Sequence, residues 1–350
     1  MTYSTEMKEI VEERYQLCIL LKQLYKRYPN KLSIFAKPCH IKVLFGVFLS
    51  TLYTEIASLG EHYKNISFLN IHENKLVSGY NRHILIRIWN TETYETIATL
   101  REDFGSVSCI TLHENKLYSG CRRDYTIRIW NKQTYEEIAI LRGHTSLVRC
   151  LTLHENKLYS GSNDATIRIW AGTHTQTYEE IAILRGHTSF VTCLTLHENK
   201  LYSGSNDRTI RVWNTRTYVT IATLRGHASQ VRCLTLHENN LYSGSFDKTI
   251  RVWNTRTYET IATLRGHDSQ VRCLTLHENK LYSGSSIPDN TIRVWNTQTY
   301  ETIATLRGHT DSVECLAIHE NKLYSGSGDD AIRVWKIGEI ESKTKKRKRE

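Results

Sequence analysis

Shortly before Trp170 the chain places His144, Ser160 and Asp164, and the same three residue types recur ahead of most of its other tryptophans. Such a set could perform nucleophilic hydrolysis, with the imidazole deprotonating the serine and the carboxylate orienting the imidazole. A second candidate lies in the phrase HENKLYSGS, which stands at residues 154–162 and again at 197, 277 and 319, with near copies at 72, 113 and 237. Its His and Glu are metal-ligand types. Repetition argues against both chemistries. A catalytic group is needed once, whereas a hydrogen-bonded clamp is needed in every structural unit. The HEN turns fall on separate units, so four ligands cannot converge on one ion. No unrepeated acid, base or nucleophile constellation and no cofactor fingerprint stands elsewhere, so the expectation is a protein that is not an enzyme and takes no cofactor or metal.

The elements that carry these residues form a repeat. All seven tryptophans, Trp89, Trp130, Trp170, Trp213, Trp253, Trp295 and Trp335, lie in the phrase I-R-[IV]-W, separated by 41, 40, 43, 40, 42 and 40 residues. That period marks a repeat architecture and overrides any domain count taken from length. Within 186–224, GHTSFVTCLTL, LYSGS, RTIRVW and YVTIATL are four β-rich runs separated by HENK, ND and NTRT. No run has a helical period, so each repeat is predicted to be a four-stranded antiparallel sheet. The Glu-Asn pair suits a tight hairpin, with Asn expected to take the positive φ. One such sheet cannot bury both its apolar faces, but seven around an axis bury one another's.

Gly-His, then LYSGSxD, then IRVW resembles the WD40 repeat over about residues 52–338. The resemblance implies an all-β, seven-bladed WD40 β-propeller, spanning 51–340, with a short α-helical N-terminal extension at 1–50 and a basic disordered tail at 341–350. It also implies a structural tetrad in each blade in place of a triad. The matching positions are His144, Ser160, Asp164 and Trp170; His187, Ser203, Asp207 and Trp213; His227, Ser243, Asp247 and Trp253; His267, Ser283, Asp289 and Trp295; and His309, Ser325, Asp329 and Trp335. LYTEIASL at 52–59 aligns with the fourth strand of other blades and is expected to complete the last one, which lacks its own. Blade one has His83 where the family has Asp, and blade two has Asp103 where it has His. The Asp that follows the family's Trp is Asn at 90, 131, 214, 254 and 296, Ala171 in blade three and Lys336 in blade seven.

The net charge of +10 is concentrated at the ends: residues 1–50 hold eight Lys/Arg against four acids and 341–350 hold six against two, leaving +2 for 51–340. A body that close to neutral is not a duplex-binding surface, so no specific nucleic-acid partner is expected. Six of the nine cysteines (Cys109, Cys150, Cys193, Cys233, Cys273, Cys315) share one repeat position and read as small buried side chains in a reducing compartment. The chain opens with no signal peptide, and the longest apolar run, Val43 to Leu52, is too short to span a bilayer. A monomeric intracellular protein of the nucleus or cytoplasm, with no membrane partner, is the expectation.

Function should sit where the blades differ. Three positions per blade should face the mouth of the central channel: the third residue after the His, the residue after the next Val, and the residue before the Asp. They read Leu147, Arg149 and Asn163; Phe190, Thr192 and Asn206; Gln230, Arg232 and Phe246; Gln270, Arg272 and Pro288; Ser312, Glu314 and Gly328; and, in the degenerate blades, Asn65, Ser67 and Arg82, then Ser106, Ser108 and Arg123. Relatives by resemblance bind peptides on that face, which implies a scaffold or adaptor. Here Leu147, Phe190 and Phe246 would supply apolar contact, Gln230 and Gln270 polar contact, and Arg149, Arg232 and Arg272 would favour an acidic or phosphorylated segment. Two loops are longer than their counterparts: 171–176 on the opposite face and 285–290 on the binding face.

At the N-terminus, Ser4 to Tyr28 reads as a helix, acidic at its start and basic toward Pro29, with an apolar stripe of Ile10, Leu17, Leu20, Leu21 and Leu24. A small helical region before a WD40 propeller resembles F-box/WD-repeat substrate receptors of ubiquitin ligases, including those of large DNA viruses, although the Leu-Pro opening of an F-box is absent. An adaptor docking through 1–50 is thus the alternative function. At the C-terminus, Lys345, Lys346, Arg347, Lys348 and Arg349 resemble a nuclear localisation signal and equally suit a solvated tail or nonspecific nucleic-acid contact. Because blades one and two depart from the tetrad, their amides are expected to exchange with deuterium faster than those of blades four and five; equal protection would contradict the assignment.

Overall fold

β-branched residues and leucines dominate Val191–His197, and turn residues interrupt the chain before Lys200–Ser205, Ile210–Asn214 and Thr220–Leu224. These four strands pair in sequence order as one antiparallel blade. A computed structural model describes residues 53–59, 66–80, 85–101, 107–172 and 178–338, and among them the pattern occurs seven times. Blades one to six occupy 66–101, 107–141, 148–184, 191–224, 231–264 and 271–306. Blade seven takes its first three strands from 313–337 and its fourth from Tyr53–Leu59. The first strand of each blade packs on the first strands of both neighbours, blade seven against blade one included, so the seven form a closed ring. The protein is an all-β, seven-bladed propeller.

By its internal contacts the chain divides into Glu55–Trp335, which holds the ring, and a second unit of Met1–Thr54 with Lys336–Glu350. Of that second unit, 53–54 and 336–338 are described: the start of one strand, the end of another and the residue after it. The helix expected at 4–28 and the basic tail lie outside the described residues, as do His83, Asp103, the expected face residues Asn65, Arg82 and Ser106, and most of the loop at 171–176.

Within the ring no blade has a core of its own. In Lys200–Ser205 all residues after the lysine are buried, because alternate side chains point into opposite seams. Leu201 packs with Val191 and Trp213 against Tyr159, Ile167, Ile169 and Leu184 of blade three. Tyr202, one residue on, packs the other way with Ile210, Val212 and Leu224 against Val231, Leu241 and Trp253 of blade five. The same exchange closes the ring, where Leu59, Tyr324, Ile332 and Val334 meet Ile66, Leu76 and Trp89. Gly204 permits the approach: a Cβ there would lie 2.6 Å from Cys193 Sγ and 2.7 Å from Val231 Cγ1.

The recurrent cysteines fill these seams as free thiols. Cys109, Cys273 and Cys315 are buried, and Cys150, Cys193 and Cys233 are half-buried as whole residues. Burial nevertheless pushes the Cys193 thiol up to about 11, despite hydrogen bonds from Thr192 and Gly204 that favour its thiolate.

Two features of HENK depart from expectation. His197 pairs with Lys200, leaving a two-residue turn, but the positive φ falls on Glu198 (52°) and its equivalents Glu73, Glu114, Glu238, Glu278 and Glu320. The following Asn joins it only at Asn156. The right-handed twist of the flanking strands demands the positive φ at the first turn position, and this requirement overrides the preference of Asn. The lysine is also more than a solvated end. Lys200 Nζ lies 5.4 Å from the centroid of the Tyr258 ring in the next blade and donates to Thr255 O at 3.1 Å. Lys322 does the same to Tyr94 (5.2 Å) and Thr91 O (3.2 Å), and Lys116 and Lys157 lie over Tyr178 and Tyr218. Asn240 holds this position in blade five, across from Tyr300.

Lys200→Ala is therefore expected to lower stability by about 0.5–1 kcal/mol and Asn240→Lys to raise it by a similar amount. Urea midpoints measure both, and an unchanged midpoint for Lys200→Ala would show that the ammonium contributes nothing at its seam.

Candidate partner-binding face

Five blades contain the same buried relay. In blade four, Trp213 Nε1 donates to Ser203 Oγ at 2.8 Å, Ser203 Oγ lies 2.7 Å from His187 Nε2, and His187 Nδ1 lies 2.7 Å from Asp207 Oδ2. The carboxylate also accepts from Thr209 Oγ1 (2.6 Å), Thr209 N (2.9 Å) and Thr188 N (3.1 Å). Blades three, five, six and seven repeat the set through Ser160, Ser243, Ser283 and Ser325, each bonded to its tryptophan and histidine. The imidazole sits between the serine hydroxyl and the aspartate, and the hydroxyl also reaches a backbone carbonyl, Arg211 O at 3.5 Å in blade four. This is the arrangement of a hydrolase triad. It is sealed, however: each of these serines has no exposed surface, and the indole sits where a substrate carbonyl would have to approach. The relay ties the Gly-His loop and the Asp turn to the strand bearing Trp. In blade one the described part is the Trp-to-Ser bond, 2.8 Å from Trp89 to Ser78; in blade two the bond from Trp130 to Ser119 at 2.9 Å is joined by Asp124, which accepts from Thr126 N (3.2 Å) and Thr126 Oγ1 (2.9 Å).

The relay fixes two loops side by side at one end of each blade. The N–H before each Asp donates to the carbonyl of the third residue after the His: Asn163 to Leu147 and Asn206 to Phe190 at 2.9 Å, Phe246 to Gln230 and Gly328 to Ser312 at 3.0 Å. In blade six Ser286 takes this role toward Gln270. The HEN turns close the opposite end.

On this face the variable side chains separate into three groups. Phe190 is exposed, while Gln230, Phe246 and Gln270 are half-buried. Leu147 is buried, 9 % exposed, and presents little surface. Thr192 is also buried and bonds across the seam to Val231 O at 2.5 Å, as Ser108 does to Val148 O. Arg149, Arg232, Arg272 and Glu314 share one position on the ring-forming first strands. Arg149 donates to Asn163 and lies 5.5 Å from the Phe190 centroid. Arg272 lies 5.6 Å from Phe246 and pairs with Glu314 at 3.1 Å. Arg232 has no hydrogen bond or ion pair among the described residues. Burial and then the charge of Arg232 lower Arg149 to about 10, so Arg149 stays cationic at neutral pH. Burial raises Glu314 despite Arg272 and Arg232. The Arg272–Glu314 pair and exposed Ile287 (56 %), beside Pro288 in the long 285–290 loop, were not foreseen; the Glu at an Arg position was the signal for the first.

A family profile described as "WD domain, G-beta repeat" matches residues 135–171, 178–214, 218–254, 258–296 and 300–336, more than half of the chain. The chain belongs to the WD40 family. WD40 propellers typically serve as protein-interaction scaffolds and bind proteins or peptides. Among solved structures, the ring is similar to the crystal structure of the computationally designed Ika8 protein, with 28% identity over 81% of this chain and 99% of that one at a TM-score of 0.65. Comparison with curated proteins gives no match. No helix among the described residues is long and apolar enough to cross a membrane.

The departures from the WD40 pattern have local explanations. Asn254, where the family has Asp after Trp, accepts at Oδ1 from Arg256 N (2.8 Å) and Thr257 N (3.1 Å), so the turn needs an acceptor and no charge. The matched repeats are those with the complete relay. Burial alone would raise their aspartates, but hydrogen bonds from His309 and Thr310 and the attraction of His309 outweigh it and hold Asp329 down at about 2; Asp164, Asp207, Asp247 and Asp289 are held lower still by His and Thr donors. A carboxyl lowered by folding stabilises the protein above its unfolded value of about 3.9 and loses that contribution as pH falls through the folded value. Thermal stability should therefore drop between about pH 4 and pH 2. Asp329→Asn should melt earlier at neutral pH, by about 1–3 kcal/mol, with a shallower decline in acid. Parallel melting curves for the two proteins across that range would remove Asp329 from the acid transition.

Proposed function

We propose that this WD40 protein is a non-enzymatic scaffold or adaptor that binds an acidic or phosphorylated peptide across the face carrying the Gly-His loops. The observation that carries the reading is the cluster of guanidiniums on the ring-forming strands. Arg149 and Arg232 have no carboxylate partner among the described residues, and Arg149 and Arg272 lie against Phe190 and Phe246. A guanidinium on an aromatic face keeps its fork of donors directed outward, the arrangement that suits carboxylate or phosphate oxygens. Phe190 and Ile287 add exposed apolar contact on the same side. Intracellular residence, and nuclear entry through Lys345–Arg349, belong to the same reading. If residues 1–50 dock a ubiquitin-ligase adaptor, this face would choose the substrate; that alternative rests on residues outside the described part.

Crosslinking and mass spectrometry of proteins recovered from cells with the parent and with Arg149→Glu/Arg232→Glu tests the reading. Charge reversal is expected to remove the principal partners and to weaken any one of them about tenfold to a hundredfold. Full retention of every partner would reject this face as the binding site.

A further inference from the structure

A second set of arginines stands in the I-R-[IV]-W strand, against the glycines of the Gly-His loops and apart from the first-strand positions of Arg149, Arg232 and Arg272. In three blades it is neutralised internally: Arg128 Nη1 meets Glu137 at 2.5 Å, Arg168 meets Glu180, and Arg333 meets both oxygens of Glu55 at 2.7 and 2.8 Å. Glu137 and Glu180 stand opposite Trp130 and Trp170 in the pairing of the third and fourth strands. In blades four, five and six the residue opposite the tryptophan is Thr220, Thr260 or Thr302. Arg211, Arg251 and Arg293 consequently have no side-chain hydrogen bond or ion pair among the described residues. Their Nε atoms are buried without a partner, as are those of the ion-paired Arg128, Arg168 and Arg333, so the difference lies at the Nη atoms; Arg211 and Arg251 lie over their own tryptophans at 5.9 and 5.8 Å.

The wall of each position is a glycine. A Cβ on Gly143 would lie 2.8 Å from Arg168 Nη1 and 3.0 Å from Glu180 Oε2, so in blade three the glycine makes room for the ion pair. Gly186, Gly226 and Gly266 hold the same relation to Arg211, Arg251 and Arg293, at 2.9, 2.8 and 3.1 Å from Nη1, with no carboxylate present. Thr260 and Thr302 are exposed and Thr220 is half-buried, so each position opens to solvent.

We infer that blades four, five and six carry three equivalent sites, built on Arg211, Arg251 and Arg293, that take the carboxylates of an acidic segment of a partner protein. Glu180 in blade three shows the ligand chemistry: a glutamate oxygen on the guanidinium, beside glycine and the indole edge. Three such positions on successive blades suit several acidic side chains of one partner, since each exposed pair alone is weak and linked pairs add. The sites use none of Arg149, Arg232 or Arg272 and stand or fall independently of the proposed peptide face.

The test titrates a labelled oligoglutamate peptide into the full chain at low salt and follows anisotropy. Thr220→Glu/Thr260→Glu/Thr302→Glu installs in each blade the pair already present in blade three, so folding is preserved, and it should weaken binding about tenfold or more. Glu180→Thr should open a fourth site and raise the stoichiometry. Both comparisons are repeated on an Arg149→Glu/Arg232→Glu background, which removes the peptide face and leaves the flank sites intact. No binding by the parent, or equal binding by the parent and the triple-Glu protein on that background, would overturn the proposal. So would a phosphopeptide that binds there while oligoglutamate does not.

Discussion

A four-stranded sheet with two apolar faces must be covered on both, and among the described residues the neighbouring blades supply the cover. Leu201 and Tyr202, adjacent in sequence, face opposite seams, so every LYSGS strand serves two cores at once. Packing at interior density leaves little freedom at such positions. Six of the nine letters of HENKLYSGS then acquire separate tasks: Glu takes the strained turn position, Lys reaches the next blade's tyrosine, Leu and Tyr divide the seams, the first Ser joins the relay and Gly admits the neighbouring valine. Much of the near-identity of the copies follows from this double service.

The relay illustrates how the same bonds can support opposite ends. Serine to histidine to aspartate is arranged as in a hydrolase, but the indole N–H occupies the serine oxygen and buries it. Polar groups satisfied within such a chain make the loops rigid. Side chains just outside the relay are thereby presented from a fixed backbone, which is what a recognition surface needs.

Blade number, strand order and relay were legible because tryptophan spacing and local period record them directly. The ring's closure was legible too, since Tyr53–Leu59 repeats the fourth-strand phrase. What single-repeat reading missed depends on partners outside the repeat. The contact of Lys200 was not legible because its tyrosine lies one blade away, and Leu147, expected on the face, is buried. The positive φ went to Glu198 because strand twist, not residue preference, selects the turn. The Arg–Glu pairs required the register of the third and fourth strands, which pattern alone does not fix.

The clasp of blade seven also imposes an order on biosynthesis. Glu55 and Arg333, joined across it, are 278 residues apart. A ribosome delivers the fourth strand of the last blade before any blade exists and its companions after all the others. The early strand has to wait through the synthesis of six blades, each of which offers it an edge resembling its own destination. Until the last repeat emerges the nascent ring is open at both ends, and its two terminal faces are bare sheets, the surfaces for which a chaperone or a neighbouring nascent chain would compete.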